Sequence, residues 1–281
     1  MKIGEYEITE VVHQSFGLDG GAMFGVVPKP LWEKRIPADK KNRIDMVARS
    51  LLIEGHGHRI LVDTGMGDQW KEKYRKIYKI SNKSPAFEGV PQKPARAPED
   101  ITDVVLTHLH FDHAGGATID KGNELVPAFP NARYHVQREQ WQWADNPSEK
   151  DGGSFREENF LPLEKHGVLN ILDGEQELFP ALELRVFHGH TPAQQLPLLQ
   201  GDDTALFFAG DLIPTHAHLS IPWVMGYDNH PLTTIQEKRR ILEMATTEQW
   251  ILVFEHDQKV PAGTVYWNEG RPEIQEIVNL E

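Results

Sequence analysis

The chain has 281 residues, of which 39% are hydrophobic and 25% charged, as in an ordinary globular protein with a sizeable core. Its net charge of -13 argues against nucleic acid as a partner, because that binding depends on Lys and Arg neutralising phosphates. The absence of cysteine excludes disulfides and thiolate metal sites, so histidine and carboxylate must supply any metal ligands. No run approaches the roughly 20 apolar residues that span a bilayer, and the first residues lack a signal-peptide core. We expect a cytoplasmic protein with no membrane partner.

The N-terminal part of the sequence predicts strands interrupted by one irregular stretch. Residues 5–13 alternate as a strand does, whereas Gly and Pro punctuate 15–45 and predict a loop that covers a pocket or the rest of the fold. Two apolar runs, 46–54 and 59–63, flank the turn-like 55–58 and predict a hairpin. A helix and a loop are expected next, at 66–80 and 81–98.

The remaining elements predict two sheets with helices outside them. Strands are expected at 103–108, 132–136, 168–172, 182–187, 195–200, 204–210, 250–255 and 263–267. Helices are expected at 137–144 and 232–247, with a polar insertion at 145–160. Many strands and few helices in mixed order favour a two-sheet sandwich over a regular βαβ array. We expect residues 1–281 to form one domain, with residues 1–45 as an irregular covering segment.

A cluster of metal-ligand types follows the predicted strand at 103–108. Residues 108–113 read His-Leu-His-Phe-Asp-His, and three small residues, Ala114-Gly115-Gly116, come next. Alternation along a strand would place His108 and His110 on one side, and the following turn would aim Asp112 and His113 at a second point. Imidazole and carboxylate are ligands that first-row divalent metals accept. The cluster therefore predicts half of a two-metal site.

Four other residues share one sequence context with this cluster, since each follows an apolar run at the exit of a predicted strand. They are Asp63, His190, Asp211 and His256. Residues that follow the ends of strands at the same edge of a sandwich lie close together, and the rigid strands hold them in place. These four are the candidates to complete the metal centre.

These motifs together resemble the metallo-β-lactamase superfamily. The resemblance rests on HLHFDHAGG, a later Gly-His-Thr-Pro histidine, a strand-end Gly-Asp and a final Glu-His-Asp histidine, and it spans residues 63–256. The segment Leu18–Trp32 is similar to the branch that holds quorum-quenching lactonases and methyl parathion hydrolase. The family fold is an α/β (α+β) four-layer αββα sandwich.

The resemblance implies a role for each candidate. One metal would be bound by His108, His110 and His190, and a second by Asp112, His113 and His256. Asp211 would bridge the two ions, and Asp63 would orient a ligand histidine. Asp112 and Asp211 would be the catalytic carboxylates. The ions would be divalent, with Zn favoured and Mn, Fe or Co compatible with the same ligands.

The substrate pocket is less well specified by the sequence. Seven residues are candidates for its lining: Phe16, Met23, Phe24, Trp32, His216, His218 and Tyr227. One departure from the family concerns the tyrosine that follows the bridging aspartate by three positions in acyl-homoserine lactonases, because Pro214 stands there. Tyr227 is the candidate to replace that tyrosine.

The function that follows is hydrolysis of a lactone or ester, with N-acyl-homoserine lactones as the leading substrates. Organophosphate or aryl ester hydrolysis on the same centre is the alternative. A mononuclear iron persulfide dioxygenase and a metal-holding protein without catalysis stay open as different classes. The partner is then a small molecule, and the apolar N-terminal segment would also suit a homodimer interface.

Overall fold

The computed structural model describes residues 1–81 and 97–280. The helices there are α1 (Gly20–Phe24), α2 (Lys29–Trp32), α3 (Glu72–Ile77), α4 (Arg138–Asp145), α5 (Glu157–Lys165) and α6 (Pro231–Thr247). The strands are β1 (Lys2–Ile3), β2 (Tyr6–Asp19), β3 (Arg43–Gly55), β4 (His58–Val62), β5 (Asp103–Val105), β6 (Thr118–Asp120), β7 (Leu125–Pro127), β8 (Arg133–Gln137), β9 (Leu169–Leu172), β10 (Gln176–Phe179), β11 (Leu182–Phe187), β12 (Gln194–Gln200), β13 (Ala205–Phe208), β14 (Ile251–Val253), β15 (Ala262–Asn268) and β16 (Arg271–Val278). None of these helices is long and apolar enough to cross a membrane.

Two seven-stranded sheets form the inner layers. The first has the order β1-β2-β3-β4-β5-β8-β9 and the second runs from β10 to β16 in sequence order. β6 and β7 form a separate hairpin. Strands β4, β5, β8 and β9 run parallel, as do β13 and β14, and the other pairs are antiparallel.

Alternation along the strands assigns each apolar side chain to a layer. Leu51 of β3 packs between the sheets, whereas its neighbour Leu52 packs on the outer face with Phe160 of α5. In the second sheet Phe208 faces the first sheet, and Phe207 packs against Leu242 of α6. Central strands such as β3 and β13 are thus buried on both faces, which explains their nearly continuous apolar sequences. The layers are helix, sheet, sheet and helix, which confirms the predicted αββα sandwich.

The N-terminal segment is more regular than the sequence predicted. Strand β2 continues to Asp19 and pairs with β3 as far as Arg43, so the predicted irregular stretch 15–45 narrows to the connection that carries α1 and α2. Gly20 permits this packing because a Cβ there would lie 2.3 Å from the Trp32 ring. The segment is therefore an integral edge of the first sheet.

Three other predictions differ from the structure. The helix expected at 66–80 covers only Glu72–Ile77, since Gly67 has a φ of 62° and a Cβ there would lie 2.1 Å from the Gly115 carbonyl oxygen. The polar insertion at 145–160 ends in helix α5, which was not predicted from the sequence. Residues Arg271–Val278, for which the sequence predicted no strand, form β16. The loop expected at 81–98 lies mostly outside the described residues.

Candidate metal centre

The His-rich motif forms a turn at the exit of β5. The strand ends at Val105, before the histidines, and the motif closes a turn in which the amides of His113 and Ala114 donate to the His110 carbonyl. The glycines that follow are needed because the chain comes very close to a neighbouring loop. A Cβ on Gly116 would lie 2.2 Å from the Thr64 carbonyl oxygen. Backbone packing therefore fixes the direction of the motif side chains.

One group of donors is formed by His108, His110, His190 and Asp211. His110 Nδ1 lies 2.9 Å from His108 Nε2 and 3.1 Å from His190 Nε2. Asp211 Oδ2 lies 3.1 Å from His190 Nε2. One ligand atom from each of the four lies within 4.8 Å of the others, and all four side chains are buried. This spacing suits a single ion.

A second group lies beside the first and is formed by Asp112, His113 and His256. His256 Nε2 is 3.3 Å from His113 Nε2 and 3.8 Å from Asp112 Oδ2. These three donors also lie within 4.8 Å of one another. The structure therefore brings together all seven ligands predicted from the sequence, in two adjacent groups.

Asp211 lies between the two groups. Its Oδ2 faces His190, whereas Oδ1 lies 3.0 Å from His256 Nε2. Oδ1 is buried and has no hydrogen-bond partner among residues 1–81 and 97–280. A buried carboxylate oxygen surrounded by imidazole nitrogens and left without a donor fits a divalent cation. The donor set thus fits two ions that share Asp211.

The outer nitrogens of four histidines are held by groups behind the cluster. The Nδ1 of His113 donates to Asp63 Oδ2 at 3.0 Å, and the Nδ1 of His256 donates to the Val47 carbonyl at 3.0 Å. The Nδ1 of His190 donates to Asp228 Oδ1 at 2.9 Å. These bonds fix the tautomer and leave Nε2 free to bind an ion. Of the acceptors, only Asp63 was anticipated from the sequence.

Thr107 links Asp63 to the fourth of these histidines, His108. Its amide and hydroxyl both donate to Asp63, at 2.7 Å each, and the hydroxyl can then accept from His108 Nδ1, 3.1 Å away. Asp63 therefore supports both ligand groups at once. Glu255 is a further buried carboxylate beside Asp63, and its Oε1 lies 3.1 Å from His113 Nδ1. It was not predicted from the sequence.

The electrostatics of the cluster differ between its histidines. Burial lowers the pKa of His108 and His110 well below the usual value. At His190 and His256 burial also disfavours the cation, but neighbouring carboxylates outweigh it, Asp211 foremost together with Asp228 at His190 and Glu255 at His256, and raise the pKa of each to about 9. The cluster without ions therefore holds protons at neutral pH, and a metal ion must displace them.

A cavity of about 160 Å³ opens onto the cluster. Asp112, Asp211 and three ligand histidines form one face of it. The opposite face is mostly apolar and is formed by Leu18, Met23, Met46, Tyr78, Phe111, Met225 and Tyr227. Of the predicted pocket residues, only Met23 and Tyr227 are among these. Burial and the Asp112 charge raise the pKa of Tyr227, so its phenol is a hydrogen-bond donor across the neutral range.

The other five predicted pocket residues do not line this cavity. Phe16, Phe24 and Trp32 are buried in the apolar cluster behind it, where Phe24 stacks on Trp32. His218 is buried too, stacked on Phe24 and bonded to the Met23 carbonyl. His216 faces away and pairs with Asp257. The sequence showed that this region was apolar but not which side chains packed inward.

Two residues that flank the ligands have structural roles. His188 is 48% exposed, and its Nδ1 accepts from the Ala193 amide, so it stands apart from the cluster. Pro214, at the position of the missing tyrosine, accepts the His256 amide at its carbonyl at 3.0 Å. Its backbone supports a ligand, while no side-chain hydroxyl is offered there.

Comparison with known proteins places this architecture in a family. The sequence model of the metallo-β-lactamase superfamily matches residues 44–256. An N-acyl homoserine lactonase from a Bacillus species is 24% identical over 226 residues, which cover 76% of this chain and 82% of the lactonase. A probable metal-dependent hydrolase from Staphylococcus aureus superposes with a TM-score of 0.89 at 28% identity, over 99% of this chain and 100% of that chain. The dizinc quorum-quenching lactonase AidC superposes with a TM-score of 0.80 at 20% identity, over 99% and 97%.

The family match covers more than half of the chain and includes every candidate ligand. The chain therefore belongs to the metallo-β-lactamase superfamily. It is a metal-dependent hydrolase, and its relatives include proteins named N-acyl homoserine lactonases.

Proposed function

We propose that this hydrolase opens lactones or esters at a centre of two divalent metal ions, with N-acyl-homoserine lactones as its leading substrates. The observation that carries the proposal is the pair of adjacent donor groups beside the cavity, with Asp211 in the first group and its Oδ1 3.0 Å from His256 Nε2 of the second. Zn is the favoured metal, because imidazole and carboxylate donors suit it, and Mn, Fe or Co fit the same ligands.

The ions would be held as the ligand spacing suggests. His108, His110 and His190 would bind one, and Asp112, His113 and His256 the other, with Asp211 common to both. Such ions act as Lewis acids and lower the pKa of water, so that it attacks a carbonyl at neutral pH. Since these ligands come from both sheets, we further propose that residues 1–281 act as one catalytic domain.

The residues of the chain supply the proton handling and the orientation. Asp112 borders both the second ligand group and the cavity, so its carboxylate is placed to take a proton and pass it to the leaving alkoxide. The Tyr227 phenol faces the same cavity and can donate to the substrate carbonyl or leaving oxygen, in place of the tyrosine that Pro214 replaces. The apolar face would orient the acyl side and exclude water.

The volume of the cavity is suited to a substrate whose reacting group is small. An apolar cavity of roughly 150 Å³ holds a benzene molecule, and the cavity here has about 160 Å³. A lactone ring or a short ester therefore fits beside the ligands, and a long acyl chain must extend toward the surface. Relatives named N-acyl homoserine lactonases favour the lactone among these options.

A hydrolysis panel tests the proposal. The purified protein, loaded with Zn or with Fe, is assayed on acyl-homoserine lactones of graded chain length, aryl esters and one phosphotriester. We expect the highest kcat/KM on a lactone with the Zn form. A preference for the phosphotriester would establish the alternative on the same centre. Oxygen consumption with a persulfide, seen only in the Fe form, would overturn the hydrolase assignment in favour of a dioxygenase.

A further inference from the structure

Helix α6 contacts the site through two neighbouring residues of opposite charge, Glu237 and Lys238. Neither belongs to the ligand set nor lines the cavity. Each instead holds the backbone of a different loop, and the two loops carry different parts of the site. The first loop delivers the ligand His190, and the second delivers the cavity residues Met225 and Tyr227.

Glu237 holds the turn that leads to His190. Its Oε1 accepts the His188 amide at 2.8 Å, and its Oε2 accepts the Gly189 amide at 3.0 Å. The turn lies directly on α6, because a Cβ on Gly189 would be 2.4 Å from the Thr234 nitrogen. Two consecutive amides bound by one carboxylate leave the turn little freedom. The position of the His190 ring therefore depends on Glu237.

Lys238 holds the opposite loop. Its side chain is fully buried, and Nζ donates to the carbonyls of His218 at 3.0 Å, Ser220 at 3.0 Å and Trp223 at 2.6 Å. Three donors thus meet three acceptors. No carboxylate of residues 1–81 or 97–280 forms an ion pair with Nζ, and burial lowers the pKa of Lys238 to about 7. Burying the Lys238 ammonium group costs desolvation energy. We infer that its role is to hold these three carbonyls in place.

The loop that Lys238 holds has a second anchor at its far end. Asp228 accepts from His190, and Asn229 donates to Asp151 at 2.6 Å and, from its amide, to the His190 carbonyl at 3.0 Å. The end near His190 is therefore fixed without Lys238. The stretch from His218 to Trp223, which leads into Met225, depends on the lysine more strongly, whereas the Met225 amide itself donates to Asp228 Oδ2 at 3.1 Å. Removing Lys238 should then move the cavity face and leave the ligand in place.

We propose that Glu237 and Lys238 are positioning residues with separate tasks, Glu237 for the metal-binding turn and Lys238 for the substrate-binding face. The expected changes in KM and kcat rest on the proposed function. The expected changes in metal affinity and hydrogen exchange do not rest on it, because they can be measured without any substrate.

The test compares Glu237→Gln and Lys238→Met with Arg239→Met, an exposed neighbour on the same helix that also loses one positive charge. Glu237→Gln turns one acceptor into a donor that faces an amide, so we expect metal affinity to fall by about tenfold with KM nearly unchanged. Lys238→Met should keep the metal and raise KM for the lactone by about tenfold, with kcat within about threefold. Arg239→Met should match the parent protein.

Hydrogen exchange of the metal-loaded proteins supplies the second readout. Exchange should quicken at residues 188–190 in Glu237→Gln and at 218–223 in Lys238→Met, with the rest of the chain unchanged. If the Met variant does not fold, Lys238→Gln keeps two donors and takes its place. Both Lys238 variants failing to fold, or both positions altering metal affinity and KM alike, would overturn the separation of tasks. If no lactone or ester is hydrolysed but the local exchange pattern appears, the positioning inference stands and the proposed function fails.

Discussion

The two faces of the cavity are built in different ways. On the metal face each candidate ligand lies three to eight residues beyond the end of a strand, and the outer nitrogens of His113 and His256 are bonded to Asp63 and to the Val47 carbonyl of β3. The opposite face combines Leu18 of β2, Tyr78 after α3 and Met225 of a long loop. The metal face is therefore presented by strand ends of the sandwich, whereas the other face depends on how separate loops and elements pack together. One face can vary while the other keeps its chemistry.

The largest effect that separates the two faces is expected from Asp211→Asn. The change weakens the carboxylate that lies between the two donor groups and contacts His190 and His256, so metal content should fall and kcat should drop by about 10³-fold or more. Metal analysis and steady-state kinetics check this. A variant that retained two ions and near-normal turnover would show that Asp211 is not the bridge.

A smaller loss on the same face is expected from Asp63→Asn. The variant amide has one acceptor oxygen where the carboxylate has two, so an NH2 group must face either the Thr107 amide or the Thr107 hydroxyl and His113 Nδ1, and metal affinity should fall by about 10–100-fold. Competition with a chelator measures the affinity. Asp173→Asn is the matched control, because that exposed carboxylate binds only Arg138 in the described part of the chain and should leave the affinity unchanged.

The opposite face should respond in KM. Met225→Ala enlarges the cavity next to the substrate and should raise KM by about tenfold, with kcat and metal content little changed. The control Met244→Ala, at a residue of α6 that packs against the core and does not line the cavity, should leave KM unchanged. A fall in metal content in Met225→Ala would show that the two faces are coupled.

Metal binding should release protons in a pH-dependent manner. In the metal-free protein the pKa values of His190 and His256 are about 9, so both rings are protonated below that pH and must lose a proton to bind an ion. Proton release on adding Zn should be large at pH 7 and should decline as the pH rises through about 9. Calorimetry in buffers of different ionisation enthalpy measures it, and constant release from pH 7 to 10 would contradict the prediction.

The smallest effect is expected from His188→Ala. The ring is half-exposed and lies outside both donor groups, so activity and metal content should stay near the parent values, whereas His190→Ala should lose both. The reverse outcome would mean that the two histidines of this turn are assigned in the wrong order.

The convergence of the seven candidate ligands could be predicted because their signal is local. Each follows an apolar strand, and the sandwich then brings the strand exits to one edge. The layers were predictable for the same reason, since apolar runs such as 204–210 fit strands buried on both faces. The supporting groups were not, because Val47 acts through its carbonyl and Asp228 lies 38 residues beyond its partner His190.

The missed elements had misleading local patterns. Helix α5 carries Pro162 and four acidic or basic side chains in nine residues, so its apolar face is reduced to Phe160 and Leu163. In the segment 15–45, the glycines that indicated a loop fit close contacts of a regular strand and a short helix instead. Aromatic residues there fill the space between those elements. Their burial depends on pairing with β3, which no local pattern shows.

The placement of the seven ligands also has a consequence for the cohesion of the fold. His108, His110, Asp112 and His113 follow the first sheet, whereas His190, Asp211 and His256 follow the second, and each donor group takes residues from both. A bound ion therefore acts as a cross-link between the two halves of the sandwich. At a free metal concentration 1,000 times the dissociation constant, such a cross-link adds about 4 kcal/mol to the free energy of unfolding. Chelation would then loosen the two sheets as well as stop the chemistry.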